Sequence, residues 1–302
     1  MNEIIQVTSL TKDYGKGHGV FDVSFSVKKG ETFGFVGTNG SGKTTTIRHI
    51  MGFLKPDHGK VEICGLDAWE NAYEIKKHVE YVPGEIAFPD LKDGTTFLKS
   101  QAELLKIKDL SYAQNLAERL QLDLGASLKR MSKGMKQKTA IIAALMADKE
   151  IIILDEPTTG LDPLMRETFM EIIKEEKSKG KTILMSSQSF SELEAVCDRV
   201  ALIFNGKIMD IADIHALKNQ DKSVLKIEFE KKEEYESFKK QGYEIIRDQK
   251  EYAQVTIKVT NDRLSELFKI LTKYKLKFIV CEEFNLEKHF KQILLKGGED
   301  NV

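Results

Sequence analysis

The 302-residue sequence has few cysteines and no long apolar segment. Its three cysteines, Cys64, Cys197 and Cys281, are odd in number and far apart, so they form neither a disulfide framework nor a metal-ligand spacing. This favours a reducing cytosol, and the apolar neighbours of Cys64 and Cys197 predict core positions for both. No stretch approaches the roughly 18 consecutive apolar residues that a membrane span needs. The first residues also lack the basic and apolar regions of a signal peptide.

The sequence has no excess of charge of either sign. The 46 Lys and Arg residues are balanced by 47 Asp and Glu, which leaves a net charge of −1. This balance gives no argument for nucleic acid binding, and we expect no nucleic acid partner. Charged residues make up 31% of the chain and hydrophobic residues 41%, values typical of a soluble globular protein. The length suits one large domain or two of unequal size.

A glycine-rich segment follows a short apolar strand that begins at about residue 32. Residues 37–44, Gly-Thr-Asn-Gly-Ser-Gly-Lys-Thr, match the phosphate-binding P-loop pattern, and a helix is predicted from Lys43 to Met51. The glycines let backbone N–H groups converge on phosphate oxygens, and the helix N-terminus favours an anion. Lys43 would reach the β- and γ-phosphates and Thr44 would ligate Mg²⁺. The predicted nucleotide-binding residues of this segment are Gly37, Thr38, Asn39, Gly40, Ser41, Gly42, Lys43, Thr44 and Thr45.

Two carboxylates end a second buried strand. The apolar run at 151–154 is typical of a central parallel strand, and Asp155 and Glu156 follow it. Asp155 would hold Mg²⁺, directly or through water. Glu156 would orient and deprotonate an attacking water as a general base. Alone, such a run could be a strand with a solvated end, but the P-loop upstream favours the catalytic interpretation.

Strands and helices alternate along most of the chain, which predicts an α/β fold with a mainly parallel sheet. Before the P-loop, residues 3–9 and 20–27 have the alternation of antiparallel strands. After it, helices are predicted at 71–79 and 189–197 and a strand at 181–186. The composition changes after about residue 218. Beyond it, the pattern predicts a ferredoxin-like βαββαβ order and a terminal helix.

These patterns predict two domains, residues 1–218 with the motifs and residues 219–302 as a small α+β accessory domain. The second domain carries no nucleotide or metal motif. Its simplest interpretation is therefore a packing or dimerisation domain.

With these motifs, residues 3–215 resemble the ATP-binding cassette (ABC) family, the ATPase subunits of ABC transporters. Residues 131–137, Met-Ser-Lys-Gly-Met-Lys-Gln, are similar to the family signature Leu-Ser-Gly-Gly-Gln. The resemblance implies that Ser132 and the Gly134 amide bind the γ-phosphate of ATP held by a second subunit, although Ser132 also suits a helix N-cap. The segment that ends in Asp162 is similar to the D-loop, which joins the two sites of the dimer.

Other family positions are matched less closely. Tyr14 is similar to the aromatic residue that stacks on adenine, and its alternative interpretation is a tyrosine at a strand edge. Lys133 replaces a glycine of the signature. Gly84, followed by Glu85, occupies the Q-loop glutamine position, so Glu85 is a candidate at the metal site. Gln188 occupies the position of the catalytic switch histidine. The last two departures concern groups that sense the γ-phosphate, and they affect the expected hydrolysis rate more than ATP binding.

The resemblance implies a P-loop ABC cassette that binds ATP and Mg²⁺ and hydrolyses ATP. It implies a subunit of a bacterial exporter, paired with an identical or different ATP-binding subunit around two MgATP. It also implies a separate transmembrane permease chain and a location at the cytoplasmic face of the cell membrane. Two alternatives stay open, a weakly hydrolysing regulatory or sensing subunit and a soluble ABC ATPase that is not coupled to transport. The sequence does not identify the cargo.

Overall fold

The computed structural model describes residues 3–218, 222–282 and 285–299. Contacts divide the chain into two units, the first within Met1–Ile214 and Leu286–Val302 and the second within His215–Asn285. The last helix therefore belongs to the first unit, whereas the sequence-based division had grouped it with the second domain. Residue 219, the predicted start of that domain, lies outside the described residues.

The strands of the first unit form two sheets. They are β1 (Glu3–Asp13), β2 (Gly19–Lys28), β3 (Thr32–Val36), β4 (His58–Ile63), β5 (Leu66–Asp67), β6 (Val79–Val82), β7 (Ile151–Asp155), β8 (Thr182–Ser187), β9 (Arg199–Phe204) and β10 (Lys207–Asp213). One sheet is antiparallel in the order β2-β1-β4-β5. The other has the order β10-β9-β3-β8-β7-β6.

The second of these sheets is parallel from β9 to β6. Its edge strand β10 pairs antiparallel with β9 through Asn205 and Gly206, which both have positive φ, as a two-residue hairpin turn requires. Strands β3 and β7 are buried along their whole length, and one face of β3 packs against the antiparallel sheet, where the ring of Phe33 lies 5.2 Å from the ring of Phe25 in β2. Strands β3, β8 and β7 are neighbours, so the segments that leave their carboxyl ends meet at one edge of the sheet.

The helices before residue 219 are α1 (Lys43–Ile50), α2 (Ala72–Ile75), α3 (Gly94–Leu105), α4 (Ser111–Arg119), α5 (Lys133–Met146), α6 (Pro163–Ser178), α7 (Phe190–Val196) and α8 (Ile214–Lys218), of which α8 enters the second unit after Ile214. Helix α2 is shorter than the predicted 71–79, because the chain turns after it to enter β6 as a partner of β7.

The prediction for the cysteines is correct for one residue and wrong for another. Cys197 is buried, as expected. Cys64 is exposed, because it occupies the tight turn between β4 and β5, where it and Gly65 both have positive φ.

The second unit contains β11 (Lys222–Phe229), α9 (Lys232–Lys239), β12 (Glu244–Gln249), β13 (Gln254–Thr260), α10 (Leu264–Leu271) and β14 (Leu276–Glu282). The strands form one antiparallel sheet in the order β12-β13-β11-β14. This order and the βαββαβ sequence confirm the predicted ferredoxin-like arrangement. Buried side chains of the strands, such as Phe229 and Ile257, pack with Phe238 of α9 and Leu267 of α10 in one core.

Helix α11 (Leu286–Glu299) returns to the first unit and contacts α7 and β10. Leu286 and Phe290 are fully buried, and the Phe290 ring lies 6.1 Å from the ring of Phe190. The backbone N–H of Leu286 donates a hydrogen bond to Glu194 Oε2 at 3.1 Å. These contacts explain why the helix groups with the first unit. Among the described residues, none of the helices has the length and apolar composition to span a membrane.

Candidate nucleotide site

The P-loop connects β3 to α1 in a conformation that requires glycine. Gly40 and Gly42 have φ of +77° and +113°, which L side chains rarely adopt. A β-carbon on Gly42 would also lie 2.8 Å from Val20 Cγ1. Gly42 is the N-cap of α1 and provides no side-chain cap, so the first N–H groups of the helix can bond an anion.

The side chain of Lys43 is only 4% exposed and bonds the loop itself. Its Nζ donates to the carbonyl oxygens of Gly37 at 2.7 Å and Thr38 at 3.1 Å. The same atom lies 3.3 Å from Glu156 Oε1. The ammonium group therefore connects the P-loop to the carboxylate that follows β7, and its charge is paired despite burial.

Asp155 is fully buried at the end of β7. Its Oδ1 accepts a hydrogen bond from Ser186 Oγ at 2.6 Å, whereas its Oδ2 has no hydrogen-bond partner among the described residues. Leaving a buried carboxylate oxygen unpaired is costly, and a bound cation would satisfy it. Asp155 is therefore a suitable ligand for a hard cation such as Mg²⁺.

Glu156 lies in the left-handed region at φ +48°, a strained conformation for a residue with a side chain. Its backbone N–H donates to Ser186 Oγ at 2.9 Å, so one hydroxyl fixes both carboxylate residues. Gln188, one residue beyond β8, donates from Nε2 to Glu156 Oε2 at 2.9 Å. The fold thus brings together Lys43, Glu156 and Gln188, which are far apart in sequence.

The other predicted metal residues lie around the same strand end. Thr44 and Thr45 are half-buried in the first turn of α1. A β-carbon on Gly84 would lie 3.6 Å from Asp155 Oδ2, so the segment at the Q-loop position passes beside the unpaired oxygen. Glu85, the next residue, is exposed. The part of the chain that the structure describes has no cluster of three or more His, Cys, Asp or Glu side chains suited to a metal.

The signature segment packs against the D-loop. Ser132 caps α5 and its Oγ accepts the Met135 N–H at 3.2 Å, so the predicted N-cap is present. A β-carbon on Gly134 would lie 2.5 Å from the carbonyl oxygen of Gly160, so the two segments touch. Asp162 caps α6. Within the described ranges, no hydrogen bond or ion pair joins Ser132 or Gly134 to the P-loop.

Tyr14 lies in the loop between β1 and β2 and is 55% exposed. The loop is closed by a hydrogen bond from the Tyr14 N–H to the carbonyl oxygen of His18. It leads into Val20, whose Cγ1 would lie 2.8 Å from a β-carbon on Gly42 of the P-loop. An exposed aromatic ring is available here for stacking, and its contact with adenine stays a prediction.

Comparisons with known proteins identify the family. Residues 20–159 match the model of the ABC transporter family. The bacitracin transport ATP-binding protein BcrA of Bacillus licheniformis is 35% identical over 237 residues, which cover 76% of each chain. The chain belongs to the ABC transporter family.

A further relative and a solved structure agree with this assignment. The linearmycin resistance ATP-binding protein LnrL of Bacillus subtilis is 35% identical over 213 residues, which cover 69% of this chain and 68% of that one. A solved ATP-binding subunit of an ABC transporter is 29% identical, covers 72% of this chain and 92% of its own, and superposes with a TM-score of 0.64. The predicted family, the P-loop ABC fold and the activity of an ABC-type ATPase are confirmed, and the nucleotide is its substrate.

Sequence reasoning missed several polar residues around the site of this ABC ATPase. Ser186 bonds both carboxylate residues, as described above. Glu192 accepts hydrogen bonds from Thr158 and Ser187 and lines a cavity of about 220 Å³ together with Glu156 and Gln188. Ser186 is the last residue of a predicted strand, but only the strand order places it beside β7. No local signal in the sequence identifies Glu192.

Proposed function

We propose that this chain is the ATP-binding and hydrolysing subunit of an ABC exporter that powers a separate transmembrane permease. One observation carries the proposal: the Glu156 carboxylate is held between the Lys43 ammonium at 3.3 Å and the Gln188 amide at 2.9 Å. This is a suitable place for a general base beside a phosphate-binding loop. The named relatives act in bacitracin transport and linearmycin resistance, which supports export.

In the proposed reaction, the P-loop N–H groups and Lys43 bind the β- and γ-phosphates of ATP. The Lys43 ammonium has three donors and exchanges its carbonyl contacts for phosphate oxygens. Glu156 Oε1 then loses its closest cation and is able to accept the proton of the attacking water. The water oxygen bonds the γ-phosphorus as the bond to the bridging oxygen breaks, and ADP leaves with that oxygen. Gln188 keeps Oε2 bonded and so fixes the orientation of the carboxylate during the transfer.

Mg²⁺ fits the residues present. We infer that the Thr44 hydroxyl and Asp155 Oδ2 would hold it, because Oδ2 is a buried acceptor that needs a partner. The bound ion would neutralise charge on the transferred phosphoryl group. Ser186 would orient Asp155 through the bond to Oδ1. Glu85 is exposed, and its role at the metal site stays a prediction.

A second ATP-binding subunit, identical or different, would complete each site. Ser132 is exposed at the start of α5, and its hydroxyl oxygen accepts a hydrogen bond from the backbone of that helix. Ser132 and the Gly134 amide would bind the γ-phosphate of ATP in the other subunit. Asp162 and the rest of the D-loop would carry the state of one site to the other, because Gly160 contacts the signature segment. Such a subunit would work at the cytoplasmic face of the membrane through its permease.

The test uses the full chain and its Glu156→Gln variant. Glutamine keeps the size of the side chain but is not a base, so turnover should fall by roughly 10²–10⁴ while MgATP binding stays intact. The variant should accumulate as an ATP-bound dimer in sizing experiments. Unchanged turnover, or only monomers with MgATP present, would count against the proposal. Purification of a multi-span membrane protein together with the chain would identify the permease.

One observation favours a second candidate, a weakly hydrolysing regulatory subunit. Gln188 bonds Glu156 as a neutral donor and cannot carry the positive charge of a histidine. Neutral hydrogen bonds are roughly half as strong as charge-assisted ones, so the charge on the phosphates would be stabilised less. ATP turnover by the chain assembled with its permease separates the two candidates.

A further inference from the structure

Glu192 in helix α7 has a carboxylate that is 10% exposed and connects several segments. Its Oε2 accepts hydrogen bonds from Thr158 Oγ1 at 2.9 Å and from Ser187 Oγ at 2.7 Å. Its Oε1 lies 3.7 Å from Arg166 Nη1. Both hydroxyl bonds have an ionised acceptor and therefore belong to the stronger class of hydrogen bonds.

The two hydroxyl partners flank the proposed catalytic pair. Thr158 is two residues after Glu156, and Ser187 immediately precedes Gln188. The pairing of β7 with β8 ends at Asp155 and Ser186, so no ladder pair joins these two segments beyond that point, although Ser187 still pairs with Val36 of β3. Glu192 ties the two segments together just past that point. It lines the same cavity as Glu156 and Gln188.

The third partner extends this connection to the D-loop. Arg166 Nε donates to the carbonyl oxygen of Leu161 at 3.0 Å, while its Nη1 faces Glu192. The ion pair involves a half-exposed arginine and contributes little energy by itself. The pair between Arg166 and Glu192 nevertheless links the D-loop to the two segments that carry Glu156 and Gln188.

We propose that Glu192 is a positioning residue for ATP hydrolysis, which sets the spacing between Glu156 and Gln188. The inference rests on the proposed roles of Glu156 and Gln188. Glu192 acts through Thr158 and Ser187. Its effect should be large, because a misplacement of about 1 Å at a reacting group can cost roughly 100-fold in rate.

The experiment compares Glu192→Ala and Glu192→Gln in the full chain at saturating MgATP. Alanine removes the oxygen that accepts both hydrogen bonds, so kcat should fall by about 10- to 100-fold while the MgATP Kd changes by less than about threefold. Glutamine retains an amide oxygen that can accept both hydroxyls and loses only the weak pair with Arg166. It should restore kcat to within about threefold of the native value. Full activity of the alanine variant would overturn the inference.

A matched control separates positioning from stability. Glu176 is another buried carboxylate of the first unit, bonded to Tyr112, Lys179 and Lys181 and to none of the site residues. Glu176→Gln should lower the melting temperature without lowering kcat. If both Glu176→Gln and Glu192→Ala lower kcat in proportion to lost stability, Glu192 is merely structural and the inference fails.

Coupling to Gln188 gives a second readout. In the Glu192→Ala background, Gln188→Ala should have little further effect on kcat, because the amide is already misplaced. Fully additive effects would contradict the inference. The double variant Thr158→Val with Ser187→Ala removes the same two hydrogen bonds. It replaces Glu192→Ala in the activity test if that variant does not fold.

The turnover of the Glu156→Gln variant shows which hypothesis fails, the proposed function or the positioning role of Glu192. If Glu156→Gln retains turnover, the proposed function itself is wrong. If that variant is inactive while Glu192→Ala keeps full kcat, only the inference about Glu192 is wrong.

Discussion

Lys43 connects the P-loop to the carboxylate of Glu156, since its ammonium group donates to the P-loop carbonyls and faces Glu156 Oε1. We predict that Lys43→Ala weakens MgATP binding at least tenfold and abolishes turnover. A charge-assisted hydrogen bond contributes about 1.5–3 kcal/mol, and 1.4 kcal/mol already corresponds to a factor of ten. Titration of the full chain with MgATP measures the effect. Lys55→Ala, at an exposed position, is the control, and an unchanged affinity in the Lys43 variant would refute its assignment.

Gln188 is the sharpest departure from the family pattern. The structure limits which neighbouring residues could take over the role of the missing histidine. Ser187 donates its hydroxyl to Glu192, and Glu85 is exposed, so neither is placed to substitute for a histidine. We predict that Gln188→His raises steady-state ATP turnover, because a protonated imidazole stabilises developing negative charge. Gln188→Ala should lower turnover, because the bond to Glu156 Oε2 is lost.

The measurement is turnover of the three forms at saturating MgATP with the permease present. A fall in the histidine variant would mean that the loop has adapted to glutamine. An alanine variant as active as the native chain would make Gln188 an ordinary surface residue.

At the scale of helices and strands, local signals were sufficient wherever a motif lies next to the element that carries it. The P-loop glycines and Lys43 are adjacent to β3 and α1, and Asp155 ends an apolar run, so position and residue type predict the placement. Contacts across the sheet were beyond prediction. The bond from Ser186 to Asp155 depends on β8 lying beside β7, and one sequence without structure does not determine strand order.

The same limit applies to helix α7. The sequence predicts a helix over 189–197, and the structure has it at Phe190–Val196. Its buried carboxylate Glu192 carries no sequence signal, because its partners come from segments about five and thirty-four residues away. Pattern reasoning identifies the groups that touch the substrate better than the groups that hold them in place.

Helix α11 provides a prediction at this scale. Phe290 is fully buried and its ring packs with Phe190 at the start of α7, two residues after Gln188. Phe290→Ala should destabilise the first unit by about 3–5 kcal/mol, the usual cost of deleting a buried aromatic ring. The measurement is the thermal transition that MgATP shifts upward, since ligand binding identifies the unit that holds the site.

Leu295→Ala is the matched control, because Leu295 lies in the same helix and is 72% exposed. It should leave the transition nearly unchanged. If Phe290→Ala shifts only a transition that does not respond to MgATP, α11 stabilises the second unit in solution.

For the whole molecule, the predicted accessory role of the second domain stays a prediction, but the contacts change how it must be tested. All residues of the proposed site, including Lys43, Asp155, Glu156 and Gln188, belong to the first unit. The second unit has its own core of aromatic and aliphatic side chains. A chain that ends at Lys218 therefore loses two separate things, the second unit and the α11 contacts with α7.

We predict that the chain cut after Lys218 binds MgATP with a Kd within about threefold of the native value, since it keeps every residue that would touch the nucleotide. It should be less stable than the full chain, because Phe190 and the face of α7 that α11 covers become exposed to water.

The control is the full-length Phe290→Ala variant, which loses packing between α11 and α7 but keeps the second unit. If the two variants lower the MgATP-sensitive transition equally, the second unit contributes nothing to the stability of the first. Any remaining difference, in stability or in dimer formation by the Glu156→Gln form, then belongs to residues 219–285 or to the other contacts of α11, such as those of the buried Leu286. A truncated chain that folds but has lost nucleotide affinity would contradict the assignment of the whole site to the first unit.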